Sequence, residues 1–538
     1  LAGLLTFRPL PRALSRPLSF LVLAAWVLQM AALLHHTWSA APVALAADLS
    51  RYGTTARWKG IYYRGEKIGF SVSQTLPKDD GYEIQEDGQL QLTLMGMGTP
   101  ARIKTSVRVD KAFNLRAFSF ALDPGTGPIG VDGSLDGTRL LLDVRSKSGS
   151  RSETRELEQP PNLSLNLSRR LAAQGLEPGK RFELQMFDPA TLRNAPMAIE
   201  VERREVLRVA GRPLPTLKLK TQFSGLTSYS WLTETGEIVR EESPMGLIVV
   251  QEPRETATAL AVPAEIRSDM YDAAAIVPKP AQRIDDPASV EYLKLRLSGV
   301  ELQALALDGG AQSLQGDVVE MRDPEAAAPG PPDEPLEALL RPETLIESDA
   351  PEIVAEAKAA LQGIDGTRAR AERLVRHVSA LLEKRPTLSL PSALEVLRTR
   401  VGDCNEHTAL YVALARAAGL PARIAVGLVY LRGAFYYHAW PEVWVETARG
   451  RGRFLPVDPT LNQFPADLTH LRLVRGGLDK QAVILGLIGR AQIGILDMKM
   501  LPGTAPVLVG RNQAQTLAID LPARDGSSGR TCWSRPRP

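Results

Sequence analysis

The stretch "VGDCNEHTALYVALARAAGLPARIAVG", residues 401–427, holds Cys404, one of two cysteines in 538 residues. It reads as a helix followed by a strand. Leu410, Ala413, Leu414 and Ala417 recur at helical spacing, and Gly419 with Pro421 stops the pattern. The run "ARIAVGLVYL" then has the composition of a strand. Cys404 therefore stands at a helix start, directly after Gly402-Asp403. A helix N-terminus offers free N–H groups and the positive end of a dipole. Both favour a thiolate and can also face an oxyanion formed on a substrate. A cysteine taken alone is more often a small buried hydrophobe.

A nucleophilic thiol needs a base, and the base an orienting partner. Two segments downstream offer them. In "FYYHAWPEVWVE", strand alternation puts Tyr436, His438, Trp440, Glu442 and Trp444 on one face and Tyr437, Ala439, Val443 and Val445 on the other. In "RFLPVDPT", Asp458 closes a second strand at Pro459. Adjacent antiparallel strands can set His438 beside Asp458 and present the pair to the helix tip. Alone, His438 reads as a strand histidine and Asp458 as a turn residue before proline. Together with Cys404 they read as a triad in which one imidazole nitrogen is held and the other acts on the thiol.

These three segments resemble the transglutaminase-like superfamily in its bacterial branch, over roughly residues 340–475. The resemblance implies a papain-like α+β core with Cys404 as nucleophile, His438 as general base and acid, and Asp458 as orienter. It implies no cofactor. The family often adds an upstream side chain to the oxyanion hole, and "RPTLSLPSAL" (385–394) offers no counterpart. The segment "WKGIYYRGEKIGFS" (58–71) resembles N-terminal parts of exported bacterial members. The implied reaction is acyl transfer from a glutamine carboxamide or peptide bond through a thioester, resolved by an amine or by water. The substrate would be a protein or peptide, including cell-envelope components. The competing reading is a non-catalytic envelope-binding or adaptor module on the same scaffold.

The rest of the chain frames this core. Arg8, Arg12 and Arg16 precede an apolar run from Phe20 to Leu34, and Ala44-Leu45-Ala46 fits a cleavage pattern. Residues 1–47 thus read as a signal peptide or signal anchor, with the body exported and membrane attachment open through the apolar run. Alternating segments such as "QLQLTLMGM", "ARIKTSVRV" and "TLKLKTQF" make residues 50–262 an antiparallel β domain, with one helical stretch near Leu167 to Gln174. Residues 263–322 carry more strand pattern. Five prolines in 323–335 mark a linker or exposed loop. Ala371, Leu374, Val375, Val378, Leu381 and Leu382 share a helical face, and Ser392 with Glu395 forms a capping-box pattern. Residues 476–522 read as a β extension and 523–538 as a disordered tail.

The bulk numbers exclude other classes. Lys+Arg 64 against Asp+Glu 61 leaves +3, which gives no support for nucleic acid as a partner. Two cysteines make no disulfide framework, and Cys532 lies in the tail. Cys404 and His407 could form half of a zinc site, but no second Cys/His pair supplies four ligands. No Asp/Asn-rich calcium cluster occurs, so metal independence is expected. His407 reads as helix surface, and His377 and His470 stand alone. Glu406 and Glu442 read as solvent-facing or locally bonded. Trp440 and Trp444 line a cleft or fill the sheet core. "GTGPIG" (125–130) reads as a turn, not a nucleotide loop.

Overall fold

In a computed structural model, the alternating sequence from Arg57 to Gln251 forms one antiparallel sheet of fourteen strands, β1 (Arg57–Tyr63) to β14 (Leu247–Gln251). The structure describes residues 52–501 apart from 54, 95–96, 125–127, 147–148, 224–225, 244–245, 261–268, 281, 304, 327, 388–391, 449, 477–486 and 488–489. The leader-like residues 1–47, the strand-like residues beyond 501, Cys532 and the tail lie outside the described residues. So do half of the glycine-rich turn and the middle of "RPTLSLPSAL".

The large sheet runs from edge strand β8 (Gly149–Glu156) to β1, then from β14 to edge strand β9 (Arg181–Asp188). The first and last strands of the run thus meet in its middle, with Lys59 opposite Gln251. Helix α1 (Ser164–Ala173) lies between the two edge strands in sequence. Its Leu167 and Leu171 bury against Val201, Leu217 and Leu219. Phe187 of β9 packs on Phe118 with ring centroids 5.5 Å apart, so the sheet curls until its far strands share a core. Each such buried side chain contributes roughly 1.5–3 kcal/mol.

A second sheet orders β16 (Gln312–Gln315), β17 (Val318–Arg322), β15 (Val290–Ser298) and β24 (Gln492–Met500). The 263–322 region and the segment after residue 476 therefore complete one another, with Leu295 opposite Ile495. Local periodicity cannot announce a pairing across two hundred residues. The apolar side of this sheet, Leu293, Leu295 and Ile493, packs on Leu428 and Leu471 of the third sheet.

The third sheet orders β22 (Arg451–Pro456), β21 (Ala434–Ala448), β20 (Ala422–Leu431) and β23 (Leu471–Arg475). Four helices cover it: α2 (Pro351–Ala360), α3 (Thr367–Leu381), α4 (Ala393–Thr399) and α5 (Cys404–Ala417). The sequence shows one apolar stripe on α5, but the helix is buried on every side, from Glu406 to Arg416. It lies between the other helices and the sheet, and the polar side chains it buries, Glu406, His407 and Arg416, are each hydrogen-bonded. A two-residue parallel pair, β18 (Glu383–Lys384) with β19 (Val401–Gly402), leads into it. The Pro-rich stretch is pinned to this sheet. Gly330 pairs with Gly452, Glu325 takes both arms of Arg368 at 2.9 Å, and Asp333 takes Arg423 at 2.9 Å.

A buried charge cluster ties β20, β21 and β23 together. Glu442 accepts from Arg423 (2.8 Å), Arg472 (2.8 Å) and Arg475 (3.0 Å). Burial alone would raise its pKa, but Arg472, Arg423 and Arg475 bring it down to about 2. Glu442 thus faces three guanidiniums, not solvent.

Candidate active site

Asp403 is the N-cap of α5, and its side chain accepts the Asn405 N–H at 3.0 Å. Glu406 folds back so that its Oε2 accepts the Asp403 N–H at 2.9 Å, completing a capping box. The fold-back needs Gly402, where an added Cβ would stand 2.2 Å from Glu406 Cβ. Glu406 is buried, and Thr387 Oγ1 donates to its other oxygen at 2.9 Å. Cys404 follows as the first residue of the helix, 6% exposed. Burial pushes its thiol up, and the Asp403 carboxyl adds to this. A backbone hydrogen bond from Ala439 acts in the opposite direction.

That bond places the sulfur at the backbone of Ala439, the residue after His438 on β21. His438 sits opposite Gly427 of β20. Gly427 in turn lies so close to β23 that a Cβ would come within 2.0 Å of the Leu471 carbonyl oxygen. His438 Nε2 lies 2.7 Å from Asp458 Oδ2. Both residues are buried, His438 at 3% exposure and Asp458 at zero.

Asp458 does not close a strand. β22 ends at Pro456, and Asp458 begins a tight turn in which it exchanges backbone bonds with Gln463 (3.0 and 2.8 Å). The difference has a physical reason: Asp458 Oδ1 accepts the Thr460 and Leu461 N–H groups at 2.7 and 2.9 Å, an Asx-type turn that competes with the ladder. This leaves Oδ2 for imidazoles, and two reach it. His470 Nε2 lies 3.1 Å away. Burial would raise the Asp458 pKa, but His438 and then His470 hold it far below the usual carboxylate range.

His470 does not stand alone, then. Its Nδ1 faces the carbonyl oxygen and Oδ1 of Asp467 at 3.1 and 3.2 Å. Burial disfavours its charge, but Asp467 and Asp458 prevail and lift its pKa to about 10. The sequence carried a faint signal for it in the Asp467-x-x-His470 spacing. His377 also has a partner, Glu356, at 2.6 Å.

Nor is His407 on the surface. It is fully buried, with Nδ1 2.7 Å from the Asp403 carbonyl oxygen, because α5 has no solvent side. Trp440 is 1% exposed and packs against both imidazoles, stacked on His438 (6.1 Å) and edge-on to His470 (5.1 Å). It shields the Asp458 bonds from water, which strengthens them. Trp444 packs away from this site, on Phe454 and Leu339. From the segment before the second sheet, Tyr271 reaches the same place. Its hydroxyl donates to the Tyr437 carbonyl at 3.0 Å, its ring stacks on Tyr436 at 5.2 Å, and burial, Cys404 and Asp403 raise its pKa.

Donor atoms of His438, Asp458 and His470 lie within 4.8 Å of one another. A tetrahedral zinc site with bonds of roughly 2.0–2.1 Å separates its ligand atoms by roughly 3.3 Å. Here the N···O distances are 2.7 and 3.1 Å, each that of an N–H···O bond. Protons satisfy the set.

Residues 350–459 match the model of the Transglutaminase-like superfamily. No curated protein matches the chain. Among solved structures, a candidate cysteine protease from Cytophaga hutchinsonii is 16% identical, with 39% of this chain and 86% of that chain covered and a TM-score of 0.24. A β-barrel-like protein of unknown function from Brucella abortus is 11% identical over 37% of this chain and 95% of its own, with a TM-score of 0.30. A candidate protease from Parabacteroides distasonis is 12% identical, covering 64% and 65%, with a TM-score of 0.19.

Proposed function

With residues 350–459 a transglutaminase-like domain, we propose that this protein is an exported, cysteine-dependent acyl-transfer enzyme whose machinery is Cys404, His438 and Asp458. The observation that carries the reading is the buried 2.7 Å bond from His438 Nε2 to Asp458 Oδ2. It fixes the tautomer and leaves Nδ1 as the ring nitrogen for the thiol.

The thiol rests protonated, since burial and Asp403 hold it up. An amide carbonyl at the helix tip changes this. The Cys404 S–H proton passes to His438 Nδ1 while the sulfur bonds to the carbonyl carbon. The carbonyl electrons move onto oxygen, toward the first N–H groups of α5. His438 then returns the proton to the departing nitrogen, the C–N bond breaks, and a thioester remains. An incoming amine or water gives its proton to His438 and attacks the thioester. The thiol leaves with that proton, and an amide or an acid is released. Protein-bound glutamine or a peptide bond supplies the acyl group.

The burial of the thiol within an apolar cluster supports a second reading, a non-catalytic envelope adaptor. Intact-mass measurement in a Cys532→Ser background, after exposure to an acylating, thiol-directed probe, separates them. An adduct on Cys404 that Cys404→Ala and His438→Ala both lose supports the enzyme. An adduct or amidase activity that survives both changes refutes the triad, and a thiol that never reacts supports the adaptor.

A further inference from the structure

We propose that His470 is a positioning residue for this machinery: clamped between Asp467 and Asp458, it fixes the carboxylate that holds His438 and sets the proton balance between His438 and Cys404. The proposal rests on the enzyme reading above.

Asp458 Oδ2 is shared by two imidazoles at 2.7 and 3.1 Å, and the two rings lie 5.7 Å apart. His470 reaches Asp458 from the start of β23, and its own orientation is fixed on three sides. Asp467 holds Nδ1, Asp458 holds Nε2 and Trp440 packs against the ring in a T-shaped contact, while Thr469 ties Asp467 in place through two bonds at 2.9 and 2.6 Å. Asp467 is further held by Gln463, whose backbone pairs with Asp458. A chain of bonds thus runs Asp467, His470, Asp458, His438. Its members come from one turn (458–470) and one strand.

The electrostatic consequence follows from sharing one oxygen. An imidazolium on the far side of Asp458 draws on the same carboxylate charge that would stabilise a protonated His438. It therefore favours the neutral thiol and neutral imidazole over the thiolate–imidazolium pair. Asp467 and Asp458 on either side of the ring prevail over burial and lift the His470 pKa to about 10. The groups facing His470 are Asp458, Asp467 and His438. Lys384 of β18 and His407 of α5 also interact with Asp458, and burial disfavours the charge of both. His470 is thus the cation best placed to act on the shared carboxylate.

The test uses the full chain with Cys532→Ser, so that Cys404 is the single thiol, and iodoacetamide as the probe. Alkylation rates are followed from pH 4 to 10 in four backgrounds: Cys532→Ser alone, and with His438→Ala, His470→Gln or His470→Ala. Glutamine keeps an N–H donor for Asp458 and removes the charge. At 5.7 Å and an effective dielectric near 20, that charge is worth about one to two pH units. His470→Gln should therefore move the acid-side midpoint of the profile up by about one to two pH units and raise the neutral plateau by roughly ten- to hundredfold. A pin with no electrostatic role would change the amplitude in both His470 variants and leave the midpoint in place, which would overturn the proposal. If His438→Ala gives the same profile as its parent, the triad itself fails, whatever His470 does. A second measurement needs no variant. Imidazole nitrogen NMR of the six histidines should show His470 with both nitrogens protonated at pH 8, and a neutral His470 there overturns the proposal even if the variants misfold.

Discussion

Replacing Glu442 with glutamine keeps the shape of the side chain and removes one charge from a site with three guanidiniums. Glu442 stands four residues after His438 on β21, and Arg472 two residues after His470 on β23. The cluster therefore sets how those two strands lie. The folded pKa is about 2 against an unreacted value of 4.5. The gap of about two and a half units corresponds to about 3 kcal/mol at neutral pH. The same figure is expected from breaking a buried ion pair, about 3–5 kcal/mol. Because the folded value is depressed, this stabilisation is complete above the unfolded pKa and disappears as pH falls through the folded one. Near pH 3 only about 1 kcal/mol should remain. Urea unfolding followed by far-UV circular dichroism, for both proteins at pH 7 and pH 3, measures it. A difference below about 1 kcal/mol at pH 7, or one that does not shrink at pH 3, would refute the reasoning.

Asp458→Asn should slow acylation of Cys404 by roughly 10²–10⁴-fold, and stopped-flow rates with the acylating probe would check it. Gly427→Ala forces a methyl onto the Leu471 carbonyl, 2.0 Å away. It should cost about 1–3 kcal/mol in urea unfolding and also slow Cys404 labelling, since β23 must move away from β20. His470 is raised from 6.5 to about 10 in the folded state, so its stabilisation is complete below about pH 6.5 and is lost as pH rises toward 10. The urea midpoint should fall over that range more steeply in wild type than in His470→Gln, and parallel curves would contradict the assignment.

What was legible in the sequence was what local pattern encodes. Cys404 at a helix start follows from Gly402-Asp403 and the stripe Leu410, Ala413, Leu414 and Ala417, and His438 on a strand follows from alternation. What was hidden depends on tertiary closure. The stripe Leu410, Ala413, Leu414 and Ala417 stands out on α5 because its other faces mix Tyr411 and Val412 with Glu406, His407, Thr408 and Arg416, so that local pattern reads them as a polar side. His407 therefore looked like surface. Asp458 was read as a strand end, since an Asx turn and a strand terminus share the Asp-Pro signature. His470 was missed because its partner is twelve residues away and its position depends on β23 returning beside β20. Glu442 reads as solvent-facing or locally bonded because its three arginines come from two other strands. The pairing of β15 with β24 joins segments that composition alone separates.

In the proposed enzyme the Cys404 thiol works through His438. This is tested most directly by the rate at which one acylating probe modifies Cys404 at pH 7 with and without that imidazole. His438→Ala should slow the reaction by roughly 10²–10⁴-fold while the fold, followed by circular dichroism, stays intact. Equal rates in a folded His438→Ala protein would contradict it.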